Sequence, residues 1–530
     1  MRAREQRAVA FTRLADSGFD VLIIGGGIVG AGIARDAALR GLKTALVEQH
    51  DFAFGTSSRS SRLLHGGLRY LAQGRLGLVR EASVEKTILH RIAPHLSAPL
   101  PFLFPTYRSA PDWRLWQLKL GVKIYDLLCG GHNLGRSTWL DPAAVMRKVP
   151  GLKSDDLSGA VRYFDAFTND ARLVLDTLRS AARAGAVLVN YCRFTDAQRN
   201  AGLRPGSDSR LAETGRVGDR RSLPTGSGDE DNLWTCEVED VMTRKVFSAR
   251  ARTVVNATGP WADGLPHSRV KLRVTKGVHL VVERSRVPVP ETVVMTAGKR
   301  ILFAIPWGER TILGTTDTDY QGSADRVMAG RAEVDYLLKI TNQFFPDAAL
   351  TAADVISTWA GLRPLLADPH GQPSDLSRSH EITNPEPGWW DVAGGKLTTH
   401  RLMAEQAVDR IVKSLNQAGE SPLSAAACRT AEEPLRLAGE AQNVSGILPP
   451  EFCRRVVEQC CAQEWVVHLD DVMVRRTGWQ RYHRDADAKA EQVAGWMAEL
   501  FGWTDAQRAA ELARYQAEVG SAWTGESIEP

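Results

Sequence analysis

The stretch of sequence that decides the fold is DVLIIGGGIVG, residues 20–30. Residues 20–25 form a short, β-branched apolar run that ends in glycine, and this pattern predicts a buried strand. Residues 30–40 (GAGIARDAALR) predict a helix that stops at Gly41, and residues 43–48 (KTALVE) predict a second strand. The order therefore predicts a βαβ unit near the start of the chain.

Gly25, Gly27 and Gly30 satisfy the pattern G-x-G-x-x-G between the predicted strand and helix. In this pattern the first glycine permits a tight turn, the second lets the backbone approach a pyrophosphate, and the third allows close packing of the helix. The N-terminus of the helix would donate N–H groups to phosphate, and Ile28, within the glycine pattern, is a further predicted cofactor contact. Glu48 ends the second strand and can accept hydrogen bonds from ribose hydroxyls. These residues predict an adenine dinucleotide site, with FAD and NAD equally open and a turn without ligand as the alternative.

Two further segments favour FAD. Residues 56–61 (TSSRSS) are rich in hydroxyl groups that can bond the flavin-side phosphate and ribitol, although such a run is also typical of a solvated turn. Residues 254–259 (VVNATG) predict a strand that ends in a small-residue turn. In flavoproteins with two dinucleotide-binding folds, such a turn is a second segment of the chain that contacts the same cofactor. We therefore expect cofactor contacts from Thr56, Ser57, Ser58, Ser61 and Gly259.

The length and composition limit the class of protein. With 530 residues the chain exceeds the size of a single core, and 43% apolar and 24% charged residues are ordinary for globular proteins. A net charge of +4 is too small to indicate a nucleic-acid partner. The seven cysteines show no metal-ligand spacing, so we expect no metal site and a reducing compartment. No apolar run is long enough to span a membrane, and residues 1–20 lack the pattern of a signal peptide.

The chain also changes character along its length. Residues 1–18 form a basic leader, and residues 200–232 have the polar, glycine-rich composition of a surface insert. From residue 424 onward the pattern is helical, for example at residues 465–473 and 488–501. We expect a separate helical domain there.

Four segments resemble the FAD-dependent glycerol-3-phosphate dehydrogenase family: SSRLLHGGLRYL (60–71), NATGPW (256–261), GLRPLL (361–366) and GGKLTTHR (394–401). Supporting segments are TNDARLVL (168–175), KGVHLVV (276–282), IPWGERTILGTTDTDY (305–320) and DDVMVRRTGW (470–479). They occur in the order of the family over most of residues 20–480. The leader and the insert look additional, and His400 stands where the family pattern has tyrosine.

The resemblance implies an α/β fold: a Rossmann-like FAD domain with two dinucleotide-binding folds, an antiparallel-sheet substrate domain and a helical C-terminal domain. The expected FAD domain comprises residues 19–93, 161–266 and 356–415, the substrate domain residues 94–160 and 267–355, and the C-terminal domain residues 424–530. The implied reaction oxidises sn-glycerol 3-phosphate to dihydroxyacetone phosphate by hydride transfer to N5 of FAD. A quinone would then take the electrons.

The resemblance also implies roles for individual residues. Arg363, Lys396, Arg69 and Tyr70 would bind the substrate, with Arg363 and Lys396 at the reacting centre, where Lys396 would stabilise the anionic reduced flavin. His279 is the candidate proton acceptor, and His65 is the alternative but fits better as a cofactor neighbour. A single arginine or histidine is more often structural, so the motifs carry these assignments. Further cofactor contacts are expected from Leu63, His65, Gly395, Lys396, Leu397 and Thr398.

Family members from bacteria pass electrons to membrane quinone, which implies peripheral attachment to the cytoplasmic face of the membrane, and the family suggests a homodimer. Residues 114–128 (RLWQLKLGVKIYDLL) or the leader could supply the attachment; a core-facing amphipathic helix is the alternative. Three other functions stay open: an oxidase that uses O2, another FAD-dependent amine or hydroxy-acid oxidoreductase, and a flavin-binding sensor without turnover.

Overall fold

The computed structural model describes residues 2–67, 74–110, 113–130, 133–199, 233–298, 300–367, 380–418, 424–436 and 444–519. Arg69, Tyr70 and the predicted insert at residues 200–232 lie outside these ranges.

The described helices are α1 (Arg2–Asp16), α2 (Ile28–Leu39), α3 (Leu76–Ile92), α4 (Leu115–Leu128), α5 (Pro142–Lys148), α6 (Asp170–Arg183), α7 (Arg331–Phe344), α8 (His400–Ala418), α9 (Arg454–Gln463), α10 (Trp479–Tyr482), α11 (Ala486–Phe501) and α12 (Asp505–Val519). A π-helical turn, Asp471–Arg476, precedes α10.

The described strands are β1 (Gly18–Ile24), β2 (Thr44–Val47), β3 (Leu63–Leu64), β4 (Ala98–Tyr107), β5 (Thr138–Leu140), β6 (Leu157–Phe167), β7 (Val187–Val189), β8 (Cys192–Arg199), β9 (Trp234–Asp240), β10 (Val246–Asn256), β11 (Leu272–Glu283), β12 (Thr292–Ala297), β13 (Arg300–Trp307), β14 (Arg310–Gly314), β15 (Thr318–Asp319), β16 (Val355–Leu366), β17 (His380–Glu386) and β18 (Trp389–Gly394).

The first sheet has the order β17-β18-β10-β1-β2-β7, with β9 and β8 continuing from β10. Its central strands are parallel, and Ile24 at the end of β1 lies level with Val47 of β2 and Asn256 of β10. The carboxyl ends of these strands therefore meet at one edge of the sheet, where ligands of open α/β sheets bind. Helices α2, α6 and α8 pack together beside this sheet.

The second sheet has the order β15-β11-β14-β13-β12-β4-β6-β3, with β16 on β11 and β5 on β6. Its described pairs are antiparallel except for β12 and β4, which run parallel. Its core contains apolar residues of β11–β14 and of α7, such as Leu280, Leu313 and Leu337. The predicted fold class, with a Rossmann-like domain, a largely antiparallel second sheet and a helical C-terminal region, is confirmed.

Two strands belong to a different sheet from the one that the predicted domain boundaries imply. β6 pairs with β4, and β16 pairs with β11 along its whole length, so both belong to the second sheet. Residues 161–167 and 356–366 fall within the FAD domain expected from the sequence. Both strands are largely buried, and such a pattern predicts a strand without indicating which sheet it joins.

The N-terminal segment also differs from the expectation of a basic leader. It forms α1, whose Phe11 and Leu14 are buried in the core that contains Leu22 of β1. Arg7 donates to the carbonyl oxygens of Asn190 and Tyr191, at 2.5 and 2.9 Å. Because its apolar face covers the first sheet, α1 packs as part of that domain.

The C-terminal region has a core of its own, formed by α9, α11, α12 and the π-helical turn, with Val457, Met473 and Val493 fully buried. The helix predicted for residues 465–473 begins only after His468. Cys460 and Cys461 lie buried in α9, as a pair of core residues would.

Candidate active site

A cavity of about 1420 Å³ is lined by residues of both sheets. The turns that follow β1, β10 and β18 reach it from the first sheet, and β11, β13 and β16 reach it from the second. Predicted site residues that line it are Gly25, Gly27, Ile28, Glu48, Thr56, Ser57, Ser61, Leu63, His65, Gly259, His279, Arg363, Gly395, Lys396, Leu397 and Thr398.

The glycine turn after β1 has the geometry that a dinucleotide site needs. Gly25 has a φ of +110°, and a Cβ atom there would lie 2.6 Å from the carbonyl oxygen of Ala257. A Cβ at Gly30 would lie 1.9 Å from the carbonyl oxygen of Gly25, so this glycine lets α2 pack against the turn. Gly30 itself does not line the cavity, which makes its role one of packing.

Glu48 follows β2 and faces the same turn. Its carboxylate accepts hydrogen bonds from the N–H groups of Gly26 and His50, at 2.7 and 2.8 Å. Burial raises the pKa of Glu48 to about 7, against the lowering effect of these two N–H donors. The side chain still reaches the cavity, where a ribose diol could donate to it.

The hydroxyl-rich segment lies between the two sheets and is already partly bonded to protein. Ser57 Oγ accepts a hydrogen bond from the N–H of Ile28 at 3.0 Å, and Thr56 Oγ1 donates to the carbonyl oxygen of Leu362 at 2.6 Å. Ser61 Oγ lies 2.8 Å from Nε2 of His279. Ser58 differs from the prediction: it is buried and does not line the cavity, because the local 3-10 turn directs it into the protein.

The turns after β10 and β18 bring the remaining predicted cofactor residues together. Asn256 donates to Asp391 of β18 and to the carbonyl oxygen of Ala262, both at 2.9 Å, which fixes the turn that leads to Gly259. Thr398 Oγ1 accepts a hydrogen bond from the N–H of His65 at 3.1 Å. The HGG and GGKLTT segments, which are more than 300 residues apart in sequence, are therefore neighbours.

Arg363 reaches the cavity from β16. A Cβ at Gly277, on the neighbouring strand β11, would lie 2.4 Å from Nη2 of Arg363, so this glycine leaves room for the guanidinium group. Arg363 donates to Asp317 Oδ1 and Thr315 Oγ1, both at 3.1 Å. These contacts hold a fork-shaped cation at the cavity wall, which suits a phosphate or carboxylate ligand.

His279 is buried on β11, where its ring stacks on that of Trp359 with centroids 5.0 Å apart. Burial, together with the charges of Arg363, Arg481 and Arg62, holds the pKa of His279 well below its usual range. The imidazole is therefore neutral at physiological pH, which lets it accept a proton but makes it a weak base.

Several residues that line the cavity were not predicted from the sequence. Asp317 orients Arg363, while Arg59 and Arg300 add positive charge to the wall. Asp317 lies inside the family segment at 305–320, and Arg59 inside the hydroxyl-rich run, so the motifs contained them. Their direction toward the cavity depends on turns whose geometry the residue types do not specify.

His400, where the family pattern has tyrosine, is buried at the start of α8, and its Nδ1 lies 2.8 Å from the carbonyl oxygen of Leu397. Burial lowers the pKa of His400 to about 4, so the ring is neutral. The described residues contain no group of side chains that could hold a metal ion.

The parallel sheet, the glycine turn opposed by a second turn after β10, the acidic residue after β2 and a cavity shared with a largely antiparallel sheet define the class of FAD-dependent oxidoreductases. The family model described as "FAD dependent oxidoreductase" matches residues 20–410.

Among curated relatives, "Glycerol-3-phosphate dehydrogenase 2" of Mycobacterium tuberculosis is 36% identical over 97% of this chain and 90% of its own length. "Aerobic glycerol-3-phosphate dehydrogenase" of Bacillus subtilis is 37% identical over 81% of this chain and 73% of its own length. Among solved structures, the glycerol-3-phosphate dehydrogenase from Bacillus halodurans complexed with FAD is 28% identical, with a TM-score of 0.72 and full coverage of both chains. The chain belongs to the glycerol-3-phosphate dehydrogenases of the FAD-dependent oxidoreductase family, and its cofactor is FAD, as the sequence analysis predicted.

Proposed function

We propose that this chain oxidises sn-glycerol 3-phosphate to dihydroxyacetone phosphate. The observation that carries the proposal is that Arg363, His279 and Lys396 line the same cavity as the turns that fit FAD. Relatives that match nearly the whole chain are named glycerol-3-phosphate dehydrogenases. A fixed arginine, a lysine and a neutral imidazole are the groups that a small phosphorylated alcohol requires.

FAD supplies the hydride acceptor, at N5 of the flavin. In the proposed mechanism Arg363 binds the phosphate and so keeps the carbinol carbon in line for hydride transfer. Its hydrogen bonds to Asp317 and Thr315 hold the guanidinium group in place for this role. Lys396, on the turn after β18, contacts the substrate oxygen and places positive charge where negative charge develops during reduction.

In this proposal His279 takes the proton from the hydroxyl oxygen as the hydride leaves the carbon that bears this oxygen. Its neutral state at physiological pH allows the transfer, and Ser61 at 2.8 Å holds the ring in position. The substrate thus loses two electrons and two hydrogens, and the product is the ketone. Arg69 and Tyr70, which lie outside the described residues, stay predicted substrate contacts.

For the electron acceptor we propose a membrane quinone. Trp113, Trp116 and Ile124, in and next to α4, line the cavity together with Phe104 and Phe303 of the second sheet. This part of the wall is apolar, as a lipophilic acceptor requires. Trp116 is 62% and Leu127 79% exposed, while Leu118, Val122 and Tyr125 on the inner side of α4 are buried.

The exposed apolar side of α4 supports peripheral attachment to the cytoplasmic face of the membrane. Lys119, whose Nζ lies 3.8 Å from the ring centroid of the exposed Trp139, adds a cation beside this surface. Among the described residues, no helix is both long and apolar enough to span a membrane. A homodimer is proposed from the resemblance to the family alone.

Anaerobic addition of sn-glycerol 3-phosphate to the FAD-loaded protein tests the reaction. We expect the visible flavin absorbance to bleach with one equivalent of substrate, and glycerol without phosphate to leave it unchanged. A flavin that stays oxidised would contradict the proposed reaction and favour a sensor without turnover. Under air, a quinone should be reduced in proportion to substrate, whereas stoichiometric hydrogen peroxide would identify an oxidase instead.

A further inference from the structure

The C-terminal domain meets the cofactor site at one segment, residues 51–62. Arg475 and Arg476 of the π-helical turn both donate to the carboxylate of Asp51, at the beginning of the segment. Arg481 of α10 donates to the carbonyl oxygen of Ser58, in its middle. Each of these partners is buried, so the two domains are joined here without intervening solvent.

Segment 51–62 lies directly against the glycine turn that holds FAD. The N–H of Ala53 donates to the carbonyl oxygen of Gly26 at 3.0 Å, and Ser57 Oγ accepts from the N–H of Ile28 at 3.0 Å. The ring of Phe52 leaves no space for a Cβ atom at Gly26, which would lie 2.6 Å away. A shift of the segment would therefore move the phosphate-binding backbone with it.

Arg481 is fixed from several sides. Its own carbonyl oxygen accepts a hydrogen bond from Ser357 Oγ at 2.7 Å, which ties α10 to β16. Its guanidinium lies 5.0 Å from the ring centroid of Trp359, whose Nε1 donates to the carbonyl oxygen of Ser60 at 3.2 Å. Trp359 in turn stacks on His279. Arg481 thus contacts the cofactor segment both directly and through Trp359.

The charge of Arg481 is opposed by three neighbouring arginines, Arg62, Arg59 and Arg475, while one carboxylate, Asp170, favours it. Burial and the neighbouring Arg62 lower the pKa of Arg481 to about 9, so the side chain stays a cation at neutral pH. Arg481 is only 4% exposed, so this net positive surrounding is held away from water. A buried cation whose charged neighbours are mostly cations is costly, and an anionic ligand in the adjacent cavity would reduce that cost.

We propose that Arg481 is a positioning residue for FAD, through which the C-terminal domain becomes part of the cofactor site. By holding the carbonyl of Ser58, it keeps Ser57 and Ser61 directed at the cavity and supplies positive potential behind them. The inference rests on FAD as cofactor and not on the identity of the substrate.

The test compares Arg481→Met, Arg481→Lys and Val493→Ala, the last of which opens a space in the core of the C-terminal domain away from segment 51–62. The dissociation constant for FAD is measured by fluorescence on adding FAD to apoprotein, well below each melting temperature. Arg481→Met should weaken FAD binding at least about tenfold, since it removes a charge-assisted hydrogen bond. Arg481→Lys, which keeps a cation and a donor, should recover most of the affinity.

Val493→Ala should lower the melting temperature and leave the affinity for FAD unchanged. If Arg481→Met folds and binds FAD as wild type, or if Val493→Ala weakens FAD binding as much, the proposal is overturned and Arg481 is only structural. Should Arg481→Met not fold, Arg481→Lys decides: full loss of FAD affinity at wild-type melting temperature would contradict the role of charge. Failure of the substrate to bleach the flavin would leave this comparison intact.

Discussion

Glu48 is a carboxylate whose charge depends on the ligand that it faces. Burial raises the pKa of Glu48 to about 7, and the hydrogen bonds that we propose from the ribose hydroxyls would favour the charged form. Binding of FAD is therefore linked to loss of a proton, and the affinity should fall as the pH drops below about 7.

The dissociation constant for FAD, measured between pH 5.5 and 8.5, checks this linkage. The wild type should bind more tightly as the pH rises and reach a plateau above about 7, where Glu48 is already ionised without ligand. Glu48→Gln should bind more weakly at high pH and lose this part of the pH dependence. Equal pH profiles for the two proteins would show that another group is responsible.

Arg363 offers a prediction about the substrate. Arg363→Met should leave FAD bound but weaken sn-glycerol 3-phosphate about 10- to 100-fold, since a hydrogen bond to a charged group contributes about 1.5–3 kcal/mol. The concentration of substrate that half-saturates flavin reduction is the measurement. Arg273→Met is the matched control, because Arg273 lies on the adjacent strand β11 and pairs with the exposed Asp319. A similar loss in both variants would contradict a phosphate contact at Arg363.

At this scale the sequence predicted backbone-determined contacts better than side-chain directions. Gly25 and Gly27 are required by steric limits that any chain of this pattern meets, and both line the cavity. Ser58 was grouped with Ser57 by composition alone, yet the 3-10 turn separates their directions. Asp317 could not be assigned, because its partner Arg363 is brought to it only through β11, which pairs with β16 on one side and with β15 on the other.

Among the elements, α4 has two apolar sides, one buried against β6 and one exposed. Trp116→Ser, Leu120→Ser and Leu127→Ser combined should weaken binding to anionic phospholipid vesicles at least about tenfold, since insertion of each large side chain contributes roughly 1.5–3 kcal/mol. Sedimentation with vesicles measures this. Val246→Ser and Leu448→Ser remove exposed apolar groups elsewhere and should have no effect. Unchanged vesicle binding of the triple variant would exclude α4 as the attachment.

The strands and the helix of the βαβ unit were predictable because the spacing of apolar residues and the glycines at the ends of elements are local features of the sequence. α2 begins at Ile28, two residues before the predicted start, and β2 ends at Val47. The sheet to which β6 and β16 belong was not predictable, because partner choice is decided by contacts distant in sequence. The packing of α1 was not predictable either. Its sequence is rich in arginine, and among its described side chains only those of Phe11 and Leu14 are buried against the first sheet.

For the molecule as a whole, the buried pairs between Asp51 and the two arginines should make the domains unfold together. Asp51→Asn removes the counter-charge that Arg475 and Arg476 share, although Arg475 keeps its pairs with Asp470 and Asp471, and it should cost about 3 kcal/mol in the free energy of unfolding. Asp485→Asn, which breaks the exposed pair with Lys489, should cost less than about 1 kcal/mol. Denaturant titration measures both, and equal losses would contradict the proposed coupling.

The strands of the first sheet are far apart in sequence, and this has a consequence for biosynthesis. β1 and β2 are made first, but β10, which pairs with β1, ends at Asn256, and the turn with Lys396 follows β18. At about 5–20 residues per second, a ribosome needs roughly 20 to 70 s to pass from Gly30 to Lys396. Throughout that interval the glycine turn lacks the segments that enclose the flavin. The proposed cofactor site is therefore assembled only late in the synthesis of the chain, after residue 396 has been made.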